Sequence, residues 1–170
     1  MDSMWVYDIK WDVKENRIKA KARLMEKGYT QKLGMDYNKT WAAVTWLESV
    51  QMTATVAAKY DLKLWRIDFV GAYLNSLTKE DIYMKQPEGF VEPGYEDYVA
   101  KLVHMIYGTM QGGHDWYETI NATFKELRYT TSHADPCVWF KEIRKRKGEI
   151  GKVWDIKDVG ETEHFLGMQV

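Results

Sequence analysis

The segment Trp65-Arg66-Ile67-Asp68-Phe69-Val70-Gly71-Ala72-Tyr73-Leu74 places a single acid within an apolar run. Its β-branched and aromatic residues predict a buried strand. A carboxylate at the end of a buried strand is costly unless a cation or a metal ion pairs with it. Gly71 would allow the chain to turn closely past a ligand. An aspartate in this position also commonly caps a turn or a helix, so the segment alone leaves both interpretations open.

Composition limits the class of protein. The 170 residues, 45% hydrophobic and 29% charged, indicate one globular domain with a core. A net charge of −1 gives no overall sign of nucleic-acid binding, so only a local basic surface could provide it. The single cysteine, Cys137, excludes an internal disulfide and fits a reducing compartment. The sequence shows no membrane-spanning stretch and no signal-peptide pattern, so we expect an intracellular protein of the cytoplasm or nucleus.

A β-hairpin is predicted near the N-terminus, with strands at residues 5–11 and 17–25. Lys19, Lys21 and Arg23 recur at every second residue of the returning strand, so they share one face. Such a face suits phosphate oxygens, which guanidinium groups bind in pairs. The alternative is an ordinary solvated face.

Two helices are predicted, at residues 47–59 and 115–127, because apolar residues recur there at three- and four-residue spacing. These residues are Leu47, Val50, Ala54, Ala57 and Ala58 in the first helix, and Trp116, Ile120, Phe124 and Leu127 in the second. The first is expected to be a core helix. A glycine-rich turn at 108–113 precedes the second, and such a turn alone only weakly indicates phosphate binding. Short strands are predicted at 82–84, 99–103, 137–140 and 165–170.

Several motifs occur in an order that is typical of one protein family. They are Trp5-Val6-Tyr7, Ile82-Tyr83-Met84-Lys85-Gln86-Pro87-Glu88-Gly89-Phe90, Ile106-Tyr107-Gly108-Thr109-Met110-Gln111, Ala134-Asp135-Pro136-Cys137 and Phe165-Leu166-Gly167-Met168. In this order and spacing they resemble the reverse transcriptase, an RNA-directed DNA polymerase, of copia-type LTR retrotransposons. The resemblance covers nearly the whole chain. It implies an α+β fingers–palm fragment in which the two helices pack against an antiparallel sheet.

The resemblance also implies a domain organisation and a metal site. Residues 1–170 would form a single partial domain, fingers-like over about 1–60 and palm-like over about 61–170. Asp68 matches the catalytic aspartate that binds metal, and the implied cofactor is Mg²⁺. Tyr73 matches the aromatic gate that excludes a ribose 2′-hydroxyl.

Four further residues match nucleotide-binding positions of the family. Lys21 and Arg23 match the hairpin cations that hold the incoming triphosphate. Gln111 and Gly112 match the turn that packs against template and nucleotide. The implied partners are an RNA or DNA primer–template and a deoxynucleoside triphosphate, with no membrane; the oligomeric state is left open.

The chemistry of polymerases requires more carboxylates than Asp68 supplies. Two divalent ions, about 3.5–4 Å apart, act on the attacking and leaving oxygens, and magnesium prefers oxygen ligands. The resemblance implies that a Tyr-x-Asp-Asp hairpin provides the other acids, between the 137–140 strand and Asp155. The sequence contains no such hairpin, which indicates an internal deletion near residues 150–151. Asp155 and Asp158 match a later segment of the family and are not assigned as catalytic.

We therefore expect a chain that does not polymerise alone. The alternatives are a non-catalytic nucleic-acid-binding or interaction remnant, and a gene-model artefact of an intact polymerase. The family usually has Arg at five positions that are here Trp11, Trp46, Gln51, Trp139 and Gln169. Single C-to-T changes convert Arg codons beginning CG into Trp or Gln codons, so the hypothesis is a pseudogene-like remnant altered by cytosine deamination. The alternative is that these Trp side chains pack usefully.

Overall fold

The computed structural model describes residues 1–12, 16–141, 156–161, 164–165 and 168–169. Its strands are β1 (Ser3–Asp12), β2 (Arg17–Glu26), β3 (Trp65–Phe69), β4 (Tyr83–Lys85), β5 (Val99–Lys101), β6 (Thr130–Thr131), β7 (Trp139–Phe140), β8 (Ile156–Glu161), β9 (His164–Phe165) and β10 (Met168–Gln169). Its helices are α1 (Leu47–Lys59) and α2 (Gly112–Glu126), with short 3₁₀ turns at Gly28–Thr30 and Ala72–Asn75. Neither described helix combines the length and the apolar character that crossing a membrane requires.

Helices and small antiparallel sheets make this an α+β protein. Within the described ranges the strands pair two by two: β1 with β2, β3 with β8, β4 with β5, β6 with β7, and β9 with β10. The prediction of one antiparallel sheet is therefore wrong for these ranges. Six of the strands have only two or three residues, which leaves little backbone to pair with a second neighbour.

Two sequence predictions fall wholly or partly outside the described ranges. Residues 142–155, which include the expected deletion point near 150–151 and Asp155, lie outside them. The single strand predicted at 165–170 is wrong, because β9 and β10 pair with each other in antiparallel register. Residues 166, 167 and 170 are not described.

The chain divides into two compact units. The first comprises Met1–Ala42 and Tyr73–Tyr117, and the second comprises Ala43–Ala72 and Glu118–Val170. The division into fingers-like and palm-like parts near residue 60 stays a prediction.

In the first unit, β1 and β2 form the expected hairpin, paired from Ser3 opposite Glu26 to Asp12 opposite Arg17. Side chains alternate between its two faces. The charged face carries Asp8, Lys10, Lys19, Lys21 and Arg23; the apolar face carries Tyr7, Ile9, Trp11 and Ile18, all four exposed. The hairpin is therefore an amphipathic ribbon.

The end of the hairpin crosses a second segment at very short range. The Glu26 amide donates to the Tyr107 carbonyl at 2.8 Å. A Cβ on Gly108 would overlap the Glu26 carbonyl oxygen, and a Cβ on Gly28 would overlap the Gly108 carbonyl oxygen. Gly108 also has φ +95°, a conformation that side chains rarely tolerate. Only glycine fits this crossing of two backbones.

The apolar core of the first unit includes residues that precede Tyr107 and Gly108 in the sequence. Ile82, Met84 and Met105 are buried, and Ile82 accepts a backbone bond from Leu102 at 2.9 Å. The Met105 amide donates to the Ser76 carbonyl at 2.8 Å, which ties the segment before β4 to the segment after β5. The residues that lead into Tyr107 and Gly108 are thus fixed by core packing.

The second unit contains α1, whose bounds match the prediction. A carboxylate that is distant in the sequence stabilises the start of this helix. Trp46, the residue before the helix, provides no side-chain cap. Instead, Oδ2 of Asp135 accepts the Trp46 amide at 3.0 Å and Oδ1 accepts the Cys137 amide at 2.8 Å. Asp135 is buried, and the hydroxyl of Ser49, followed by these two amides, holds the pKa of its carboxyl below the ordinary value.

Two burial predictions are wrong in this unit. The strand β3 is not buried: Trp65, Arg66 and Asp68 are exposed, while Ile67 and Phe69 are half-buried. In the described ranges β3 has one strand partner, β8, so one of its edges is uncovered by a sheet neighbour. Helix α1 was expected to be core, yet only Ala54 and Ala57 are buried. Contact through small alanines leaves the longer side chains, such as those of Leu47 and Met52, outside.

Replacing Gly108 by Ala should destabilise the first unit strongly. The positive φ alone costs about 1–3 kcal/mol, and the overlap with the Glu26 carbonyl adds to it. Urea unfolding measures the loss. Gly94→Ala is the matched control, because Gly94 has φ +84° and open space around its Cβ position. Equal losses in the two variants would contradict the crossing.

Replacing Asp135 by Asn should lower stability and shorten α1, because the two oxygens accept the Trp46 and Cys137 amides separately and asparagine replaces one oxygen by an NH2 donor. Since the folded-state pKa is lowered, the carboxylate contributes fully above its ordinary value of 3.8, and the contribution is lost as pH falls through the lowered value. Circular dichroism during urea unfolding at pH 7 and at acid pH measures both effects. Asp97→Asn, at an exposed position, should leave α1 unchanged.

Candidate functional site

The charged face of the hairpin presents the two cations predicted to bind phosphate. Lys21 lies opposite Asp8, and Arg23 lies opposite Val6. Lys21 is exposed and Arg23 is half-buried. On the same face, Nζ of Lys10 lies 3.6 Å from Oδ2 of Asp8. The geometry leaves both cations accessible to an anion.

Tyr73, Gln111 and Gly112 come together in the first unit. The Tyr73 ring packs edge-on against Tyr107, with ring centroids 5.2 Å apart. A Cβ on Gly112 would lie 3.7 Å from Cδ1 of Tyr73 and only 2.5 Å from the hydroxyl oxygen of Thr109. The Thr109 hydroxyl is thus the contact that a larger residue at position 112 would disturb, and the distance to the Tyr73 ring is an ordinary van der Waals contact.

The side chain of Gln111 is engaged inside the protein. It is 1% exposed; its Oε1 accepts from Nε2 of Gln31 at 3.1 Å, and its own Nε2 donates to the Asp36 carbonyl at 3.1 Å. Oε1 of Gln31 in turn accepts the Met110 amide at 2.6 Å. These bonds fix the turn to the loop that follows β2. The geometry makes Gln111 a residue that positions the turn.

Asp68 belongs to the other unit and its donor set is incomplete. It is exposed on β3, opposite Lys157 in the strand register. Among the described residues, Asp68 belongs to no group of three or more His, Cys, Asp or Glu side chains that could hold a metal ion. Asp158 lies opposite Ile67 in the backbone register. A single carboxylate does not fit a pair of magnesium ions, which require several oxygen ligands.

The described residues do hold one group of potential metal ligands, which sequence reasoning missed. Ligand atoms of His114, Asp115 and Glu118, on the first turns of α2, lie within 4.8 Å of one another. Burial, followed by repulsion from Glu80, raises the pKa of the Asp115 carboxyl. Nδ1 of His114 lies 2.7 Å from the Trp41 carbonyl oxygen. The spacing i, i+1, i+4 on a helix was the available signal, but acids in a first helical turn commonly serve only the helix dipole.

Helix α2 begins at Gly112, three residues earlier than predicted. Both of its first residues are glycines, which sequence rules place outside helices. At Gly112 a Cβ would come too close to the Thr109 hydroxyl oxygen, whereas at Gly113 a Cβ would make only an ordinary contact with Ala42. The turn and the start of α2 are therefore one continuous element.

Comparison with known proteins identifies the family. The profile of the family described as "Reverse transcriptase (RNA-dependent DNA polymerase)" matches residues 1–150. The retrovirus-related Pol polyprotein from transposon TNT 1-94 of Nicotiana tabacum is 32% identical over 191 residues, covering 98% of this chain and 14% of that protein. The corresponding polyprotein from transposon RE2 of Arabidopsis thaliana is 30% identical over 135 residues, covering 79% of this chain and 9% of that protein.

A further relative is the putative transposon Ty5-1 protein YCL074W of Saccharomyces cerevisiae, 29% identical over 128 residues, covering 61% of this chain and 42% of that protein. No solved structure matches the chain. The chain spans less than half the length of each of these relatives. The profile match and the relatives together show that this chain belongs to the reverse transcriptase family of copia-type retrotransposon polyproteins.

Proposed function

We propose that the chain is a truncated fingers–palm portion of a copia-type reverse transcriptase that does not polymerise alone. The observation that carries this proposal is that the whole sequence lacks a Tyr-x-Asp-Asp hairpin, while Asp68 belongs to no group of three or more potential metal ligands among the described residues. The family generally uses divalent metal ions. A lone exposed carboxylate cannot hold two of them, so no catalytic step is assigned to this chain.

The alignments support an internal deletion. The match to the tobacco relative extends over 191 residues, which exceeds the 170 residues of this chain by 21. The relative therefore has at least that many residues with no counterpart here. The family profile ends its match at residue 150, close to the expected deletion point.

The remaining site residues retain the features expected for nucleotide contact. Lys21 and Arg23 would bind the triphosphate, since both lie on the charged face of the hairpin. Tyr73 would limit the space beside the sugar, with its ring against the position of Gly112. Gln111 would act by holding the turn in place.

Primer extension on a primed RNA template with Mg²⁺ tests the proposal. We expect no product from the chain as given. A version with a Tyr-x-Asp-Asp hairpin inserted after Ile150 should extend the primer, because the insertion returns the missing carboxylates. The same insertion with both Asp residues changed to Asn is the control and should be inactive. Extension by the unaltered chain would refute the proposal and require Asp155 and Asp158 to be reconsidered.

A second candidate function is nucleic-acid binding without catalysis, and the accessible cations of the hairpin favour it. Primer–template affinity should fall with salt, and the combined change Lys21→Ala and Arg23→Ala should reduce the slope of log K against log salt by about 2, or about 1 per lost phosphate contact. Fluorescence anisotropy measures the slope. Lys39→Ala, at an exposed lysine outside the hairpin, is the control. An unchanged slope in the double variant would exclude this face from binding.

The deletion has two possible origins, a lost gene segment and an annotation that omits an existing one. Sequencing the DNA between the codons for Ile150 and Gly151 distinguishes them. The alternative to the deamination hypothesis is that Trp11, Trp46 and Trp139 pack usefully. In the structure Trp11 and Trp46 are exposed, whereas the Trp139 ring packs 5.4 Å from that of Phe124.

A further inference from the structure

Glu26 is a buried acid that has no role in the proposed polymerase site. Its side chain is 2% exposed, and among the described residues neither carboxylate oxygen has a hydrogen-bond partner. A buried carboxyl group without partners is unusual, because its charged form loses hydration and gains nothing in exchange. Burial therefore favours the protonated form of this group.

The location of Glu26 connects its charge state with the crossing of β2 and Tyr107–Gly108. It is the last residue of β2, and its backbone forms the close crossing with Tyr107 and Gly108. The overlap that a Cβ would cause at Gly108 and at Gly28 shows how little space separates the two chains. The residue that holds the unpartnered carboxyl group therefore also forms, through its backbone, the close contact between β2 and Tyr107–Gly108.

Burial and the charged groups on neighbouring elements shift the pKa of Glu26 in opposite directions. Burial raises the pKa of Glu26 to about 7, the amino group of Met1 lowers it, and the Asp36 carboxylate raises it. The crossing segment itself, Tyr107 and Gly108, contributes backbone contacts. The balance of these groups places the ionisation near neutral pH.

We propose that Glu26 is a proton-dependent switch in the crossing between β2 and Tyr107–Gly108. With its proton the crossing is closed; when the proton leaves, the crossing loosens and the turn that follows Gly108 loses its fixed position. That turn carries Gln111 and Gly112, so the switch would act on the arrangement beside Tyr73. The proposal rests on burial and backbone geometry, and it holds whether or not the chain binds nucleotides.

The sign of the effect on stability follows from linkage. The folded-state pKa is raised above the ordinary value of 4.5, so the folded state retains a proton that the unfolded state has released. The contribution of Glu26 to stability is therefore fully present below pH 4.5, declines as pH rises to about 7, and levels off above that value. For one proton the unfolding constant changes by at most about tenfold per pH unit.

Urea unfolding across pH 4 to 9, followed by tryptophan fluorescence, tests this switch with Glu26→Gln. The amide is nearly isosteric and cannot ionise, so the decline between pH 4.5 and about 7 should become smaller by the contribution of Glu26. Glu88→Gln removes an exposed carboxylate from the same unit and should retain the decline. A Glu26→Gln profile that follows the unaltered chain would overturn the proposal.

Two measurements on the unaltered chain keep the test decisive if Glu26→Gln does not fold. Carbon-13 NMR should titrate the Glu26 carboxyl near pH 7, and titration near 4.5 would overturn the proposal. Hydrogen exchange, corrected for intrinsic rates, should show the Met110 amide losing protection between pH 5 and 8, relative to the Val138 amide in the other unit. Equal behaviour of these two amides would exclude local loosening.

Discussion

The contact between the Glu26 carbonyl and Gly108 is the constraint on which the first unit depends. It joins the hairpin, whose strands are consecutive in sequence, to a segment about eighty residues further along. Gly28 and Gly108 allow the approach, and the amide pair of Gln31 and Gln111 maintains it a few residues away. Because buried amides must find partners, the hydrogen bonds that orient the turn are also those that keep the loop after β2 in place.

Local periodicity predicted the elements that depend on local rules. The hairpin pairs as its alternating residues indicated, and α1 begins and ends where its apolar spacing placed it. Burial was predicted less well, because the apolar content of β3 does not reveal how many strands will cover it. The glycines that open α2 were excluded by propensity, yet the Thr109 hydroxyl leaves little room for a larger residue at Gly112.

In the candidate site, too, local spacing predicted some features, whereas others depend on contacts between distant residues. Two-residue spacing sufficed to place Lys21 and Arg23 on one face, and the structure confirms it. The closeness of Tyr73 to Gly112 could not be derived from spacing, since thirty-nine positions separate the two in the sequence. Asp135 and Glu26 were missed for a related reason. Their environments are set by residues far away in the chain, so no local pattern distinguishes them from surface acids.

The bond between Asp135 and the Trp46 amide has a consequence for the order in which the protein takes shape during synthesis. Its two partners are 89 residues apart. A helix of thirteen residues such as α1 is marginal in isolation, so it gains much from a cap. The ribosome completes α1 long before it adds Asp135, and the α1 segment therefore awaits its capping group while the intervening strands are made. Helix α1 is therefore synthesised early but receives its capping hydrogen bond late.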